Sequence, residues 1–323
     1  MTTMNVKTIL LTGAGFSYDF GGFLRKEMWE KIFNSRLLKE NFPSINELAN
    51  KVLDYDYESI YSGVHDELFA QDEKDAIDKV FLKVYKELDE SIRGLFRRDN
   101  VPRDVKELIQ RFSKRWGGGE YFFTLNQDLL IERLFFHEIH IPGFNAANRI
   151  SLIRDKEFSD EYIYEVPNDP LKQETPKAAP LKLHYIKLHG SFNWRDSDKH
   201  TKMVIGKNKL SQTASEPLLD FYFSIFKKEL SQKSVRLLVI GYSFLDEHIN
   251  EVIARSDIEL HIIDPLGFDR FKEDLQEKPY GSEIGKKIGR GYYYPYSLKE
   301  IFSQVGIDSH AWKTIQESFF NQR

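Results

Sequence analysis

The sequence predicts an α/β protein built on a mostly parallel sheet, with helices on both faces and an added helical lobe. Three observations support this prediction. Short apolar runs alternate with amphipathic segments along the chain, as they do in β-α-β units. Each of these runs ends in a small or polar cluster, where a strand gives way to a turn. A long charged segment follows the first run, and its apolar residues, among them Ile77, Phe81, Val84 and Leu88, have helical spacing.

Five apolar runs are predicted to form the strands of the sheet. They cover residues 8–11, 121–124, 185–188, 235–240 and 258–263, and one more strand is expected at 162–166 inside a proline-containing loop at 137–180. Helices are predicted at 127–135, 218–230 and 246–254, with two amphipathic pieces at 298–305 and 312–320. Parallel strands end at one edge of a sheet, so the clusters that follow them are expected to meet there, as in a Rossmann-like fold.

The expected organisation is a single domain over residues 1–323. A helical insertion is predicted at about 26–116, and a C-terminal helical tail at about 268–323. The length of 323 residues suits one large α/β domain with insertions.

Composition excludes several classes of function. The chain has no cysteine, which excludes a disulfide framework, a thiol nucleophile, a cysteine-ligated zinc and an iron–sulfur cluster. A net charge of −4 lacks the basic excess of most nucleic-acid-binding proteins, so no direct nucleic-acid binding is expected. No segment reaches the roughly 20 apolar residues of a membrane span. We therefore expect a cytoplasmic protein without membrane contact.

A glycine motif follows the first predicted strand. Gly13-Ala14-Gly15 leads into a helix for which Ser17 is a candidate N-cap. Glycines let the backbone approach a pyrophosphate closely, which favours a nucleotide site. Tyr18 stands where a full dinucleotide motif has its third glycine, so a tight strand–helix turn without ligand is the alternative.

Polar residues also follow the second predicted strand. Asn126 could hydrogen-bond a ribose hydroxyl or a water through its amide, and Asp128 could do the same. The alternative is that both simply cap the next helix, because Asn and Asp are common N-caps. Thr124 ends the strand itself.

His189-Gly190 ends the third predicted strand. A histidine at that edge, beside a glycine that leaves room for substrate, could act as a general base near neutral pH. The alternative is a histidine whose ring is satisfied by local backbone groups. The chain has nine histidines, and His137, His140 and His184 have no comparable setting.

The last two predicted strands end in further candidates. Gly241 and Ser243 could line a second half of a dinucleotide site, whereas Asp246 could cap the following helix. An acidic residue at a strand tip, such as Asp264, often takes ribose hydroxyls, and the alternative is a turn before Pro265.

No metal site is expected from the sequence. His248 and Glu251 have helical spacing, but a solvated helix face is the preferred interpretation. The tail aromatics Trp312, Phe319 and Phe320 are interpreted as core or interface residues and not as a base-stacking platform.

Taken in order, these motifs resemble a known family. Residues 12–17, 124–128 and 188–190 resemble the three signature blocks of sirtuins. Residues 239–250 resemble the C-terminal block of the sirtuin-like (Sir2-like) proteins of bacterial antiviral defence systems, which are NAD hydrolases that deplete NAD on infection. The resemblance extends in blocks over residues 9–264 and leaves the helical lobe and the tail unmatched.

The resemblance implies a NAD-binding domain with a role for each motif. The pyrophosphate would lie against Gly13, Ala14, Gly15 and Ser17. The catalytic pair would be Asn126, which holds the ribose or a water, and His189, which accepts a proton. The other residues implied to bind NAD are Thr124, Asp128, Gly190, Gly241, Ser243 and Asp264.

The implied reaction is hydrolysis of NAD to nicotinamide and ADP-ribose, with NAD as substrate and no zinc. Deacetylase sirtuins carry a four-cysteine zinc module that a cysteine-free chain cannot build. They also continue into a motif of which only Gly21 is matched here, since residues 22–25 differ. A NAD-dependent protein deacylase, a non-catalytic module that senses NAD or ADP-ribose, and an assembly subunit remain the alternatives.

The resemblance also implies a biological setting. A hydrolase that consumes NAD would be toxic if always active, so regulation by homo-oligomerisation, by a partner protein, or by both is expected. Such a partner could be a translocase-like ATPase, an Argonaute-like sensor or a small-nucleotide system. The expected role is an effector of abortive infection against phage.

Overall fold

The computed structural model describes residues 6–65, 69–98, 103–112, 121–135, 139–144, 164–170, 183–302 and 309–320. Its strands, in chain order, are β1 (Lys7–Thr12), β2 (Tyr121–Thr124), β3 (Ile139–His140), β4 (Tyr164–Glu165), β5 (Leu183–Lys187), β6 (Gly190–Arg195), β7 (Thr201–Met203), β8 (Val235–Ile240), β9 (Ile258–Ile263) and β10 (Tyr292–Tyr294).

The described helices fall into two groups. Those between β1 and β2 are α1 (Ala14–Tyr18), α2 (Arg25–Phe33), α3 (Arg36–Asn41), α4 (Pro43–Ala49), α5 (Tyr57–His65), α6 (Gln71–Arg98) and α7 (Arg103–Arg111). Those after β2 are α8 (Leu130–Phe135), α9 (Lys209–Ser215), α10 (Pro217–Leu230), α11 (Glu247–Arg255), α12 (Phe268–Gln276), α13 (Gly281–Ile288), α14 (Leu298–Ile301), α15 (His310–Ile315) and a closing π-helical turn (Gln316–Phe320).

The main sheet has seven strands in the order β10-β9-β8-β1-β2-β5-β3. Every described pair of neighbours in it is parallel. The predicted α/β fold with a mostly parallel sheet is therefore confirmed. The chain leaves β1 toward β2 on one side and later leaves β8 toward β9 on the other. The carboxyl ends of β1 and β8 thus mark a topological switch point, where such sheets bind ligands.

A small second sheet flanks the main one. It has three strands in the order β4-β6-β7, with β6 antiparallel to β7 and parallel to β4. The strand β6 begins at Gly190, directly after the histidine that follows β5. The hairpin of β6 and β7 therefore starts at the carboxyl edge of the main sheet.

Alternate side chains of the strands enter two separate cores. Leu10 of β1 and Leu238 of β8 pack on one face with helices α2 to α7 and with the tail, including Trp312. Leu11 and Val239 pack on the opposite face with helices α10 to α13. Because both faces are covered, the central strands are mostly apolar, which is why they are recognisable as apolar runs in the sequence.

Two edge strands of the main sheet were not predicted. The strand β3 has two residues and β10 has three. The strand β10 lies within residues 268–323, which were predicted to be a helical tail, so that prediction is wrong at this point. Such short edge segments carry too few residues for a period of two to stand out. The predicted strand at 162–166 lies partly outside the described residues. Its described part contains β4.

Two of the tail aromatics lie inside the core. Trp312 and Phe319 are buried in the core, which confirms their interpretation as packing residues.

The division of the chain into one domain with an insertion at about 26–116 stays a prediction. Within the described part of the chain, no helix combines the length and apolarity needed to cross a bilayer.

Candidate functional site

Two glycine turns meet at the switch point of the sheet. The backbone N–H of Gly13 donates to the carbonyl of Ile240 at 3.0 Å, and that of Gly15 donates to the carbonyl of Gly241 at 2.9 Å. A Cβ on Gly13 or Gly15 would lie 2.6–2.7 Å from atoms of Gly241. Glycine is therefore required here for the mutual packing of the two turns, whether or not a ligand approaches them.

The helix after the first turn begins earlier than predicted. Gly13 is the N-cap of α1, and Ser17 lies inside that helix instead of capping it. The buried Ser17 hydroxyl donates to a carboxylate oxygen of Asp128 at 2.7 Å and accepts from the amide Nδ2 of Asn126 at 2.9 Å. Ser17 thus links the glycine turn to the polar residues that follow β2.

The amide of Asn126 has a fixed orientation. Its Nδ2 donates to the Ser17 hydroxyl and, at 2.9 Å, to the carbonyl of Gly13. Both amide hydrogens are therefore used within the protein, and the side chain offers its Oδ1 as an acceptor. One oxygen of Asp128 accepts from Ser17 and the other from the backbone N–H of Leu130 in α8 at 3.0 Å, so the side chain caps the start of that helix.

Two of the residues predicted to bind NAD do not line the cleft. The buried Thr124 hydroxyl accepts from Thr12 at 2.8 Å and from the backbone N–H of Asn126 at 3.1 Å, so it shapes the turn beneath the cleft. Gly190 has φ of 72°, and a Cβ there would collide with the carbonyl oxygen of Lys202 in β7. The space at Gly190 therefore admits the neighbouring strand and not a substrate.

His189 is buried and faces a second histidine. Its Nε2 lies 3.4 Å from Nε2 of His248, which is also buried, on the first turn of α11. Burial lowers the pKa of His189 to about 3 and that of His248 to about 4, although Asp246 opposes both shifts. Both rings are neutral at neutral pH. The prediction that His248 lies on a solvated helix face is therefore wrong.

A partly buried ion-pair triad stands beside the two histidines. The ammonium of Lys209 lies 2.6 Å from a carboxylate oxygen of Asp246 and 2.9 Å from one of Glu58. Asp246 occupies the N-cap position of α11, but its side chain makes no capping hydrogen bond, contrary to the capping interpretation. The triad connects helix α5 of the lobe to the loop after β8, because each side chain comes from a different part of the chain.

The loop between β8 and α11 is held by a fully buried amide. Asn250 donates from Nδ2 to the carbonyl of Phe244 at 2.8 Å and accepts at Oδ1 from the hydroxyl of Tyr242 at 3.0 Å. Phe244 has φ of 54°, a left-handed conformation that an L residue adopts at a cost and that these contacts hold in place. Ser243, between them, is exposed.

The far end of the site is at the tip of β9. One oxygen of Asp264 accepts the backbone N–H of Leu266 at 2.9 Å and the hydroxyl of Tyr293 at 3.3 Å. Burial raises the pKa of this carboxyl group, and the two hydrogen bonds oppose that shift. Turn formation before Pro265 is therefore confirmed as one function of Asp264.

A single cleft of about 1220 Å³ collects most of these side chains. Of the residues predicted to form the site, those that line it are Gly13, Ala14, Gly15, Ser17, Asn126, Asp128, His189, Gly241, Ser243 and Asp264. Residues of the helical lobe, such as Arg25, Tyr57 and Tyr85, line the same cleft. Its volume exceeds the roughly 300–1,000 Å³ typical of drug-sized ligands and suits an elongated one.

The floor of the site rests on a buried lysine. Lys187, the last residue of β5, is fully buried and pairs with Glu132 of α8 at 2.9 Å. Its ammonium also donates to the backbone carbonyl of Asp128. A strand of this sheet thus supports the turn that carries Asn126 and Asp128.

Sequence reasoning missed Glu58 and Lys209, and it placed His248 on a solvated helix face instead of in the site. No local motif marks them, because their partners are distant in the chain, 59 positions apart for the two histidines. An exposed cluster of Asp196, Asp198 and His200 brings possible ligand atoms within 4.8 Å of one another, but it does not line the cleft.

The parallel sheet, the switch point and the cleft between two glycine turns define an α/β protein with a Rossmann-like fold. Residues 120–259 match the family model of the SIR2-like domain. The match includes Asn126, His189 and the loop after β8. Comparison with curated proteins gives no match.

Proposed function

We propose that this protein is a NAD hydrolase, which cleaves the nicotinamide–ribose bond and releases nicotinamide and ADP-ribose. The observation that carries the proposal is the pairing of two acceptors in one cleft. Asn126 presents Oδ1 because Nδ2 is committed to Gly13 and Ser17. His189 presents an imidazole that burial keeps neutral. Acceptors of this kind suit a water or a ribose hydroxyl.

The chemistry of the bond explains why acceptors are sufficient. Nicotinamide carries a positive charge on its ring nitrogen in NAD and leaves as a neutral molecule, so no strong general acid is required. The transition state resembles an oxocarbenium ion, as in glycoside cleavage. A neutral His189 adds no positive charge next to that cation. Positioning of the substrate and of the attacking water would supply most of the rate.

The two ends of the cleft suit the two halves of NAD. The glycine turns let the backbone approach the pyrophosphate closely. Asp264, at the tip of β9, would accept ribose hydroxyls from the adenosine half. Asn126 and His189 would then face the nicotinamide ribose. Ser17 contributes by orienting Asn126 and Asp128, since its hydroxyl hydrogen is already donated to Asp128.

The test is an assay of purified protein with NAD, in which nicotinamide and ADP-ribose are followed together. We expect equal release of both products, and loss of release in His189→Ala and in Asn126→Ala. His310→Ala, which changes an exposed histidine outside the cleft, is the matched control and should retain the rate. Full activity of both cleft variants would refute the assignment of these residues.

Two alternatives make different predictions in the same assay. A protein deacylase would consume NAD only with an acyl-lysine peptide and would release the deacylated peptide. The absence of cysteine, which rules out the four-cysteine zinc module, argues against this alternative. A sensing module would bind NAD or ADP-ribose without turnover.

We also propose that the hydrolase is an effector of abortive infection against phage, regulated by self-assembly or by a partner such as a translocase-like ATPase or an Argonaute-like sensor. The support is the resemblance of residues 239–250 to the sirtuin-like proteins of antiviral defence. Cells that carry the wild-type protein should lose NAD after phage challenge, and cells with His189→Ala should not. An unchanged NAD level in both would contradict this role.

A further inference from the structure

His189 has one side-chain hydrogen-bond partner within the described residues, and that partner is His248. The two Nε2 atoms are 3.4 Å apart, and the ring centroids are 5.4 Å apart with an angle of 34° between the planes. One nitrogen must carry a hydrogen and the other must accept it, because two bare nitrogens or two N–H groups would repel each other. The pair therefore couples the tautomers of the two histidines.

We propose that His248 is a positioning residue for His189: it accepts a hydrogen bond from Nε2–H of His189 and so leaves Nδ1 of His189 unprotonated toward the cleft. This inference rests on the proposed hydrolase, in which His189 accepts a proton. A base that uses Nδ1 must carry its resting hydrogen on Nε2. Of the described side chains, only His248 is within hydrogen-bonding distance of that atom.

The contact between His189 and His248 also provides a route for the proton that the attacking water loses. When water attacks C1 of the ribose, one of its protons passes to Nδ1 of His189, and the hydrogen on Nε2 passes to Nε2 of His248. The oxygen of water forms the new C–O bond, and nicotinamide departs with the electron pair of the C–N bond. His248 then carries the positive charge. The pair is restored when that hydrogen returns to Nε2 of His189 and the proton on Nδ1 of His189 is released to solvent, so no further reactant is needed.

Charged and aromatic groups surround His248. Burial lowers its pKa and Lys209 adds to that shift, whereas Asp246 favours the protonated form. Phe223 packs against the ring, with centroids 5.5 Å apart. The charge of Asp246 therefore stabilises a proton that passes to His248 during turnover.

The first test measures the tautomer directly and does not depend on activity. Protein labelled with ¹⁵N-histidine would be examined by long-range ¹H–¹⁵N NMR, with His189→Ala to assign the signals. We expect His189 to carry its hydrogen on Nε2 in the wild type and in His248→Gln, whose side-chain oxygen can still accept. His248→Leu, which has no acceptor, should shift His189 toward the Nδ1–H form.

The second test is kinetic. His248→Leu should lower kcat by at least about tenfold with little change in KM, and His248→Gln should recover most of the loss. The exposed His310→Gln is the control for both tests. An Nδ1–H form of His189 in the wild type would overturn the proposal. Identical ring signals of His189 in the wild type and in His248→Leu would also overturn it.

The two proposals can fail separately. A wild-type protein that releases no nicotinamide would refute the hydrolase, while the NMR comparison would still decide the arrangement of the histidine pair. Thermal unfolding of each variant would identify any that is merely misfolded, and His248→Gln, which retains a polar side chain of similar size, keeps the test decisive in that case.

Discussion

Gly15 donates its backbone N–H to the carbonyl oxygen of Gly241 at a distance of 2.9 Å. This hydrogen bond joins the turn after the first strand of the sheet to the turn after β8, so the two halves of the cleft have one common support. Neither turn tolerates a side chain at the contact, since a Cβ on Gly15 would lie 2.7 Å from the α-carbon of Gly241.

A first prediction follows from this contact. Gly241→Ala should lower the free energy of unfolding by about 1–3 kcal/mol or more, because φ is 62° and the new Cβ would collide with the backbone of Gly15 and Phe16. Gly285→Ala is the matched control. Gly285 lies within α13 with no atom within 4 Å of its Cβ position, so alanine should raise the free energy of unfolding by about 0.5–1 kcal/mol. Urea unfolding measures both, and equal effects would contradict the packing argument.

The hydroxyl of Ser17 gives a second prediction. Ser17→Ala removes one hydrogen bond from Asn126 and one from Asp128, so the free energy of unfolding should fall by about 1–3 kcal/mol. If NAD is the substrate, kcat should fall as well, because Asn126 loses one of the two partners that orient its amide. Ser224→Ala, which removes an exposed hydroxyl, should change stability by no more than about 0.5 kcal/mol. Thermal unfolding and the nicotinamide assay check the two parts.

The ion-pair triad gives a third prediction. Lys209→Met leaves the partly buried carboxylates of Asp246 and Glu58 without their cation and should cost about 1–3 kcal/mol of unfolding free energy at pH 7. Adding Asp246→Asn should restore part of the loss. Lys228→Met, at an exposed position, should have little effect. Urea unfolding measures all three, and a loss no greater than that of Lys228→Met would contradict the structural role of the triad.

The pH dependence of that variant has a definite sign. Burial alone would raise the pKa of Asp246, but Lys209 holds it below its usual value. In the wild type this carboxylate stabilises the fold above its unfolded pKa, and the contribution is lost as pH falls through the folded pKa. Without Lys209 the pKa of Asp246 should rise above the unfolded value. The deficit of Lys209→Met should therefore be largest near pH 7 and shrink as the solution becomes acidic.

Three buried histidines give a fourth prediction. Burial lowers the pKa of His189 to about 3 and those of His248 and His261 to about 4. Because histidine in the unfolded chain titrates near 6.5, the unfolded state binds more protons between these values. Stability should be fully present above about pH 6.5 and should fall as the pH decreases toward 4, by on the order of 1–2 kcal/mol per histidine between pH 7.5 and pH 5.

His261→Phe separates this effect from general acid denaturation. His261 lies outside the cleft, so the variant leaves the site unchanged. Because the variant lacks one histidine that takes up a proton on unfolding, it should lose less stability than the wild type between pH 7.5 and pH 5. His310→Gln, at an exposed position, should follow the wild type. Urea unfolding at the two pH values decides the matter, and identical slopes in the wild type and His261→Phe would contradict the assignment of a low pKa to His261.

Much of the sheet could be predicted from the sequence by itself. The runs at 235–240 and 258–263 coincide with β8 and β9, because strands buried on both faces are mostly apolar and end where polar residues begin. The same logic put Asn126, His189 and Gly241 at one edge, since each directly follows a parallel strand. All three line the cleft.

Other features were decided by tertiary structure. Lys209 reaches Asp246 across 37 positions, and His248 meets His189 across 59. A side chain that contacts a distant residue does not follow a helix or strand period. The residues next to it in the sequence do not indicate which distant residue it contacts. Gly190 shows the same limit, since the sequence reveals a glycine after a strand but not that its space is occupied by the carbonyl of Lys202. Burial of a strand and the type of a turn can be predicted from the local sequence. Contacts between distant elements cannot, because they depend on the angle at which those elements pack.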